Sequence, residues 1–232
     1  VNTSLIEHNT PVTLLGGGQA SAADLREALR VAPVCMAADG GAALALEQGI
    51  DLAAVIGDFD SIAPEHLVQI PSDRQHRISE QNSTDFDKAL RSIAAPVVLA
   101  LGFAGGRIDH QLSALHTLVA RADRPCVLMG ATEIIFVCPP ELLLPTDTGD
   151  VVSLFPMAAV QGWSDGLHWP IEGLAFDPAR YVGTSNRAQG PVRLRMAGPE
   201  MLCILPRRLM PQMVQRLAQL PPPARWPARA AP

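Results

Sequence analysis

The 232-residue chain has one lysine, Lys88, among 18 basic residues; the rest are arginines. A chain that uses arginine wherever either cation would serve marks its single lysine for a specific task. Cysteine is sparse and unpaired in pattern. Cys35, Cys126, Cys138 and Cys203 are widely scattered, mostly in apolar runs, with no C-x-x-C and no zinc-like spacing. That excludes a disulfide framework and reads as buried, reduced thiols in a cytoplasmic protein. The histidines also lack metal-ligand spacing. There is no excess of positive charge: the formal net charge is −5, so no global field attracts nucleic acid. An anionic substrate then needs local donors or a metal. No long apolar run occurs either. The longest stretch free of charge and strong polarity, residues 93–106, falls short of the ~20 residues of a membrane span and is broken by Pro96 and glycines. Val1 to Ser4 lack a charged segment leading into an apolar one, so no signal peptide is expected. No repeat of solenoid type is present.

What is present is ample for a core: 48% of residues are hydrophobic and 18% charged. Up to about residue 138, short apolar strands alternate with amphipathic helices. Strands are expected at 11–15, 34–37, 52–56, 96–101 and 126–129, and helices at 21–30, 42–48, 64–68, 84–93 and 108–120. This alternation implies a parallel sheet covered on both faces, with ligands beyond the carboxyl ends of the strands. After residue 139 short β-like segments separated by Pro, Gly, Asp and Asn take over, with little helical periodicity. The expected fold class is therefore α/β plus all-β. An N-terminal parallel-sheet α/β nucleotide-binding domain (1–138) precedes a C-terminal β-sandwich domain (139–220). A Pro/Ala-rich tail (221–232) is expected to fray.

The chemistry-bearing residues fall where those strands end. Gly57-Asp58-Phe59-Asp60-Ser61 follows an apolar strand. Two carboxylates one residue apart project to one side of an extended backbone and repel each other unless a cation lies between them. Such hard oxygen ligands suit Mg2+. An isolated D-x-D is more often an acidic surface turn, but this one has company. Asp39-Gly40-Gly41 places a carboxylate and two side-chain-free residues at a strand–helix junction, where backbone can approach a phosphate or ribose. Gly16-Gly17-Gly18 is glycine-rich but lacks the G-K-[ST] ending of a P-loop. Ser83-Thr84-Asp85-Phe86-Asp87-Lys88 reads as a capped helix start, with Thr84 and Asp87 forming an approximate capping box and Lys88 on the face of Thr84. Gly105-Gly106-Arg107-Ile108-Asp109-His110 combines a permissive loop with a guanidinium that can grip phosphate oxygens and a carboxylate that can serve a metal. The alternative is an Arg107–Asp109 surface pair of little energetic weight. In the β region Trp169, among turn residues, can stack on a flat cationic heterocycle or plug the end of the sandwich.

In order and spacing these segments resemble thiamine pyrophosphokinases. The A-D-G-G-A of that family is found at Ala38 to Ala42, G-D-F-D-S at Gly57 to Ser61, and S/T-T-D-F-x-K-A-L at Ser83 to Leu90. G-G-R-x-D-H is found at Gly105 to His110, G-L-K-W-P as Gly166-Leu167-His168-Trp169-Pro170, and S-x-S-N as Gly183-Thr184-Ser185-Asn186. The resemblance implies pyrophosphoryl transfer from ATP to thiamine, giving thiamine diphosphate and AMP. It also implies a homodimer with active sites at the subunit junction, and no nucleic-acid or membrane partner. It assigns Mg2+ to Asp58, Asp60 and Asp85, with Arg107 and Asp109 in the catalytic set. ATP falls to Asp39, Gly40, Gly41, Ser61, Thr84, Lys88, Gly105 and Gly106. Thiamine falls to Trp169, Ser185 and Asn186, which contact it or brace the loop. Rival readings are a non-catalytic thiamine- or nucleotide-binding protein, and a magnesium-dependent kinase acting on a related heterocycle.

Two departures from the family pattern stand out. Glu80-Gln81-Asn82 occupies the place of the usual D-Q-D, and His168 that of a lysine. Asn82 offers a neutral oxygen where the family pattern has a carboxylate, which predicts weaker Mg2+ binding or a rearranged metal shell. Asn82→Asp is expected to lower the Mg2+ concentration giving half-maximal rate; a metal titration indistinguishable from the parent's would refute this.

Overall fold

A parallel strand buried on both faces is near-continuously apolar, and the computed structural model, which describes residues 6–229, has such strands at its centre. They are β2 (Val12–Leu15), β3 (Val34–Ala38), β4 (Ala54–Gly57), β7 (Val98–Leu101) and β8 (Cys126–Met129). With β5 (Gln75–Arg77) they form a parallel array in the order β8-β7-β2-β3-β4-β5. Two outlying two-residue strands, β1 (Ile6–Glu7) and β6 (Ile93–Ala94), pair only with each other.

Alternate residues feed two cores. Leu15, Leu25, Val55 and Leu99 pack on one face, with Val12, Leu14, Ile56, Leu90 and Leu118 on the other. The helices are α1 (Ala22–Leu29), α2 (Ala42–Glu47), α3 (Pro64–Leu67), α4 (Asp85–Ser92) and α5 (Ile108–Ala120). Ser21 and Asp24 close a full capping box at α1. At α4 the box is half made. Thr84 Oγ1 accepts from the Asp87 amide at 3.3 Å, but the Asp87 carboxylate accepts instead from Arg121, the residue that caps the C-terminus of α5, at 2.7 and 3.0 Å. That fork ties together the two helices that border the cleft described below.

The sheet does not stop at residue 138. β9 (Glu133–Val137) runs antiparallel to β8, followed outward by β14 (Met201–Pro206), β11 (Val151–Pro156), β13 (Gly183–Met196) and β10 (Glu141–Leu144). The 14-residue β13 pairs near its start with β11 and near its end with both β10 and β12 (Gly162–Leu167).

Several features differ from the sequence expectation. Residues 162–167, read as turn, are strand β12. Strands β5 and β10 were not expected. Helix α6 (Met210–Ala218) interrupts the region read as all-β, burying Met210, Met213, Val214 and Leu217 at helical spacing. The tail expected to fray is docked: Trp226 packs on the core and its indole N–H donates to the Cys138 carbonyl at 2.8 Å, while Arg229 pairs with Glu200 at 2.7 Å. The remaining tail residues, 230–232, and the expectation about Val1 to Ser4 lie outside the described residues. Among the described residues no helix is long and apolar enough to cross a membrane.

Because Asp87 and Arg121 are largely buried, losing one leaves a charge without its partner. Asp87→Ala is expected to cost about 2–3 kcal/mol in urea unfolding. A change under ~0.5 kcal/mol would show that the fork does not brace the helices.

Candidate functional site

The carboxyl ends of β2, β3, β4 and β7 open into a cleft of about 900 Å³. The register of β3 and β4 explains its acidity. Ala38 lies opposite Ile56, so the chain leaves both strands side by side and Asp39 emerges against Gly57 and Asp58. One carboxylate oxygen each from Asp39, Asp58 and Asp60 lies within 4.8 Å of the others.

The backbone here is not extended, as the D-x-D reading had assumed. Phe59 has φ 69° and Asp39 φ 44°, left-handed conformations that cost a residue with a β-carbon roughly 1–3 kcal/mol each. Phe59 packs on the core, and the kink, not a strand pleat, brings its two flanking aspartates together.

Each carboxylate has a different environment. Asp39 is 2% exposed and neither of its oxygens has a hydrogen-bond partner. Burial first, then the charges of Asp85, Asp58 and Asp60, push its pKa up to about 7. Asp58 is held down at about 2, chiefly by the hydrogen bond from Lys88. The Lys88 side chain is 2% exposed, and its Nζ donates to Asp58 Oδ2 at 2.8 Å and Asp85 Oδ1 at 3.0 Å. Burial works against its charge, but the two carboxylates outweigh it and raise its pKa. The Gln81 amide also reaches Asp58 Oδ2, at 3.3 Å, and Ser61 donates to Asp60 Oδ1 at 2.9 Å.

A buried carboxylate with no donor and two like neighbours can ionise at little cost only beside a cation, and a divalent one suits it best. The all-oxygen set of Asp39, Asp58 and Asp60 fits Mg2+ chemistry. The expected metal set was Asp58, Asp60 and Asp85. The geometry brings Asp39 to the first two, while Asp85 pairs with Lys88.

Of the other expected residues, Gly40, Ser61, Thr84, Gly105, Gly106 and Arg107 line the cleft. Gly41 does not; a β-carbon there would stand 2.3 Å from the Leu15 carbonyl oxygen, so its bareness serves strand–helix packing. Asp109 also lies off the lining and pairs with Arg107 at 2.6 Å, both well exposed. The Arg107 hydrogen bond holds Asp109 down at about 2. Glu80 pairs with Arg91 at 2.7 Å and accepts from the Ser83 hydroxyl, and Asn82 is exposed. Trp169, Ser185 and Asn186 lie in the β region and do not line this cleft. The sequence reading missed Asp39 as a member of the acidic cluster, and missed the Phe103 ring, which packs tilted against Phe86 of α4 with ring centroids 4.3 Å apart. The signal for Asp39 was its place at the end of β3 next to β4.

Residues 25–128 match the model of the thiamin pyrophosphokinase catalytic domain. The chain is 29% identical over 150 residues to thiamine pyrophosphokinase 2 of Oryza sativa subsp. japonica; the alignment spans 56% of each chain. It covers 60% of thiamin pyrophosphokinase 1 of Caenorhabditis elegans, at 23% identity. Among solved structures, the thiamin pyrophosphokinase of Geobacillus thermodenitrificans superposes with a TM-score of 0.66 at 23% identity, covering 85% of this chain and 97% of that one. The Candida albicans enzyme does so with 0.69 at 17% identity, covering 89% and 94%.

The raised pKa of Asp39 has a signed consequence. From the ordinary 3.8 up to about 7 the folded state holds a proton that the unfolded state has released, so this group lowers stability as pH rises through that window. Asp39→Asn is therefore expected to stabilise the metal-free protein at pH 8 relative to the parent and to abolish its thermal stabilisation by Mg2+. Thermal melts at pH 5 and 8, with and without Mg2+, check this; a Mg2+ shift surviving in D39N would place the metal elsewhere. Residues 25–128 thus resemble a thiamin pyrophosphokinase catalytic domain in sequence, and the described chain has the mixed α/β fold, built on one large sheet, of solved thiamin pyrophosphokinases.

Proposed function

We propose that the protein transfers a pyrophosphoryl group from ATP to the hydroxyl of thiamine, with Mg2+, giving thiamine diphosphate and AMP. The observation that carries this reading is the unpartnered, buried Asp39 beside Asp58 and Asp60 at the mouth of the cleft, inside the segment that matches the catalytic domain. Phosphoryl-type transfer rests on positioning and charge neutralisation, which is what this cleft offers. Mg2+ held by Asp39, Asp58 and Asp60 would neutralise phosphate charge. Thr84, Ser61, Gly40, Gly105 and Gly106 line the path for the nucleotide, and Arg107 faces it with a guanidinium oriented by Asp109. Asp85, paired with Lys88, would flank the Mg2+ ion. Lys88, already committed to two aspartates, fixes those carboxylates in place instead of gripping phosphate. The thiamine hydroxyl attacks the β-phosphorus and gives up its proton to solvent, the bond from that phosphorus to the α-phosphate oxygen breaks, and AMP leaves with the bonding electron pair.

In this reading residues 1–138 form the ATP-binding catalytic domain and 139–220 a thiamine-binding β-sandwich, with Trp169 as the stacking surface. Trp169 is 57% exposed and absent from the cleft of its own chain, and Ile108 and Leu112 stand exposed on the cleft-side helix α5. Both features support a homodimer in which one copy's tryptophan loop completes the other's cleft. The working compartment is the cytoplasm, consistent with four buried free thiols.

A second reading, a binding protein without turnover, is favoured by Asn82 in place of a carboxylate and by the turn of Glu80 toward Arg91. Incubation with thiamine, ATP and Mg2+ followed by chromatography separates the two. Thiamine diphosphate and AMP in equal amounts are expected. Thiamine monophosphate with ADP would change the reaction, and bound but unconverted thiamine would favour the binding protein.

A further inference from the structure

The Trp169 indole stands in solvent, yet its main chain is held as firmly as a strand. β12 ends at Leu167, and the ladder to β13 continues one step with the His168 amide donating to the Arg187 carbonyl at 2.8 Å. At the next position a side chain replaces the strand. The Trp169 amide donates to Asn186 Oδ1 at 3.2 Å, and Asn186 Nδ2 donates to the Trp169 carbonyl at 2.7 Å. The same Oδ1 also accepts from the Arg187 amide at 2.8 Å. One planar carboxamide thus plays the part of a peptide group in an antiparallel pair, offering donor and acceptor together. Asn186 is 8% exposed. Its oxygen is already used twice, so it has little left to offer a ligand.

The chain is bent to put it there. Ser185 is one of three described non-glycine residues with positive φ, at 64°, and its amide donates to the Ser153 hydroxyl at 2.9 Å. The His168 ring meets the Trp169 ring edge-on, with centroids 4.5 Å apart and planes at 85°. The backbone of Trp169 is therefore fixed by Asn186 and its ring is flanked by His168, while the rest of the indole stays open.

We infer that Asn186 is a positioning residue: it clamps the main chain of Trp169 so that the indole stands preformed as a stacking plate for a flat, cationic heterocycle, and it does not itself touch that ligand. This rests on the reading of Trp169 as the thiamine surface. A preformed plate loses less freedom on binding than a mobile one, so the clamp acts on affinity.

The test is 19F NMR of the full chain labelled with 5-fluorotryptophan. Three lines arise from Trp163, Trp169 and Trp226, and Trp169→Phe assigns the middle residue's line. Asn186→Asp keeps the acceptor and removes the donor, and Asn186→Ser serves if that variant fails to fold. The expected result is a shifted or broadened Trp169 line in the ligand-free variant, with the Trp163 and Trp226 lines in place. Titration with thiamine should then give a Kd raised roughly tenfold or more. An unmoved Trp169 line with weakened thiamine binding would overturn the inference, because Asn186 would then contact the ligand directly. A moved line with unchanged Kd would also overturn it. If Trp169→Ala itself binds thiamine as the parent does, the reading of Trp169 as the thiamine surface fails, independently of the clamp.

Discussion

One buried ammonium makes the acidic end of this sheet possible. Asp39, Asp58, Asp60 and Asp85 crowd one corner, and Lys88 is the cation that bonds two of them from inside the protein. At a spacing near 5 Å, two like charges repel by about 3 kcal/mol at an effective dielectric of 20. One ammonium offsets only part of that. The corner therefore stays short of positive charge, most acutely at Asp39, whose buried oxygens have no donor. In the proposed function a divalent cation with substrate phosphates would supply what is missing, and the energetic deficit of the free protein would become a driving force for binding.

The rest of the fold keeps that corner from relaxing. Asp39 and Phe59 hold left-handed backbone at the ends of β3 and β4, strands fully buried on both faces, and the core under Phe59 keeps the kink in place. Helix α4 delivers Lys88 and Asp85 together, and its Asp87 is forked to Arg121 at the C-terminal cap of α5, the helix that begins at Ile108 just after Arg107. On the neighbouring loops, a β-carbon on Gly102 would lie 2.4 Å from the Gly16 carbonyl oxygen, so these two loops touch backbone to backbone. Strain and repulsion at the site are thus borne by elements whose packing is ordinary.

How much of this could be read in advance follows the same physics. The central strands announced themselves because burial on both faces demands unbroken apolar runs, and α5 was read at its observed bounds, residues 108–120. β5, made of Gln75, His76 and Arg77, sits at the sheet's edge and carries no apolar signal. β12 contains Gly162, Ser164, Asp165 and Gly166, which read as turn until β13 is there to pair with it. The spacing of Met210, Met213, Val214 and Leu217 was legible, but it lay in a region already assigned to strands. At the site, the motifs located most residues that line the cleft. They did not reveal that Asp39 joins Asp58 and Asp60, because that depends on the Ala38–Ile56 register between strands 18 residues apart. Nor could they show that Lys88 faces inward to aspartates.

The most direct test of the central claim is to grow crystals with Mn2+ in place of Mg2+ and collect anomalous diffraction. The account predicts a peak between the carboxylates of Asp39, Asp58 and Asp60, with Lys88 still bonded to Asp58 and Asp85. A peak that bypasses Asp39, or a metal found only at Asp109, would contradict it.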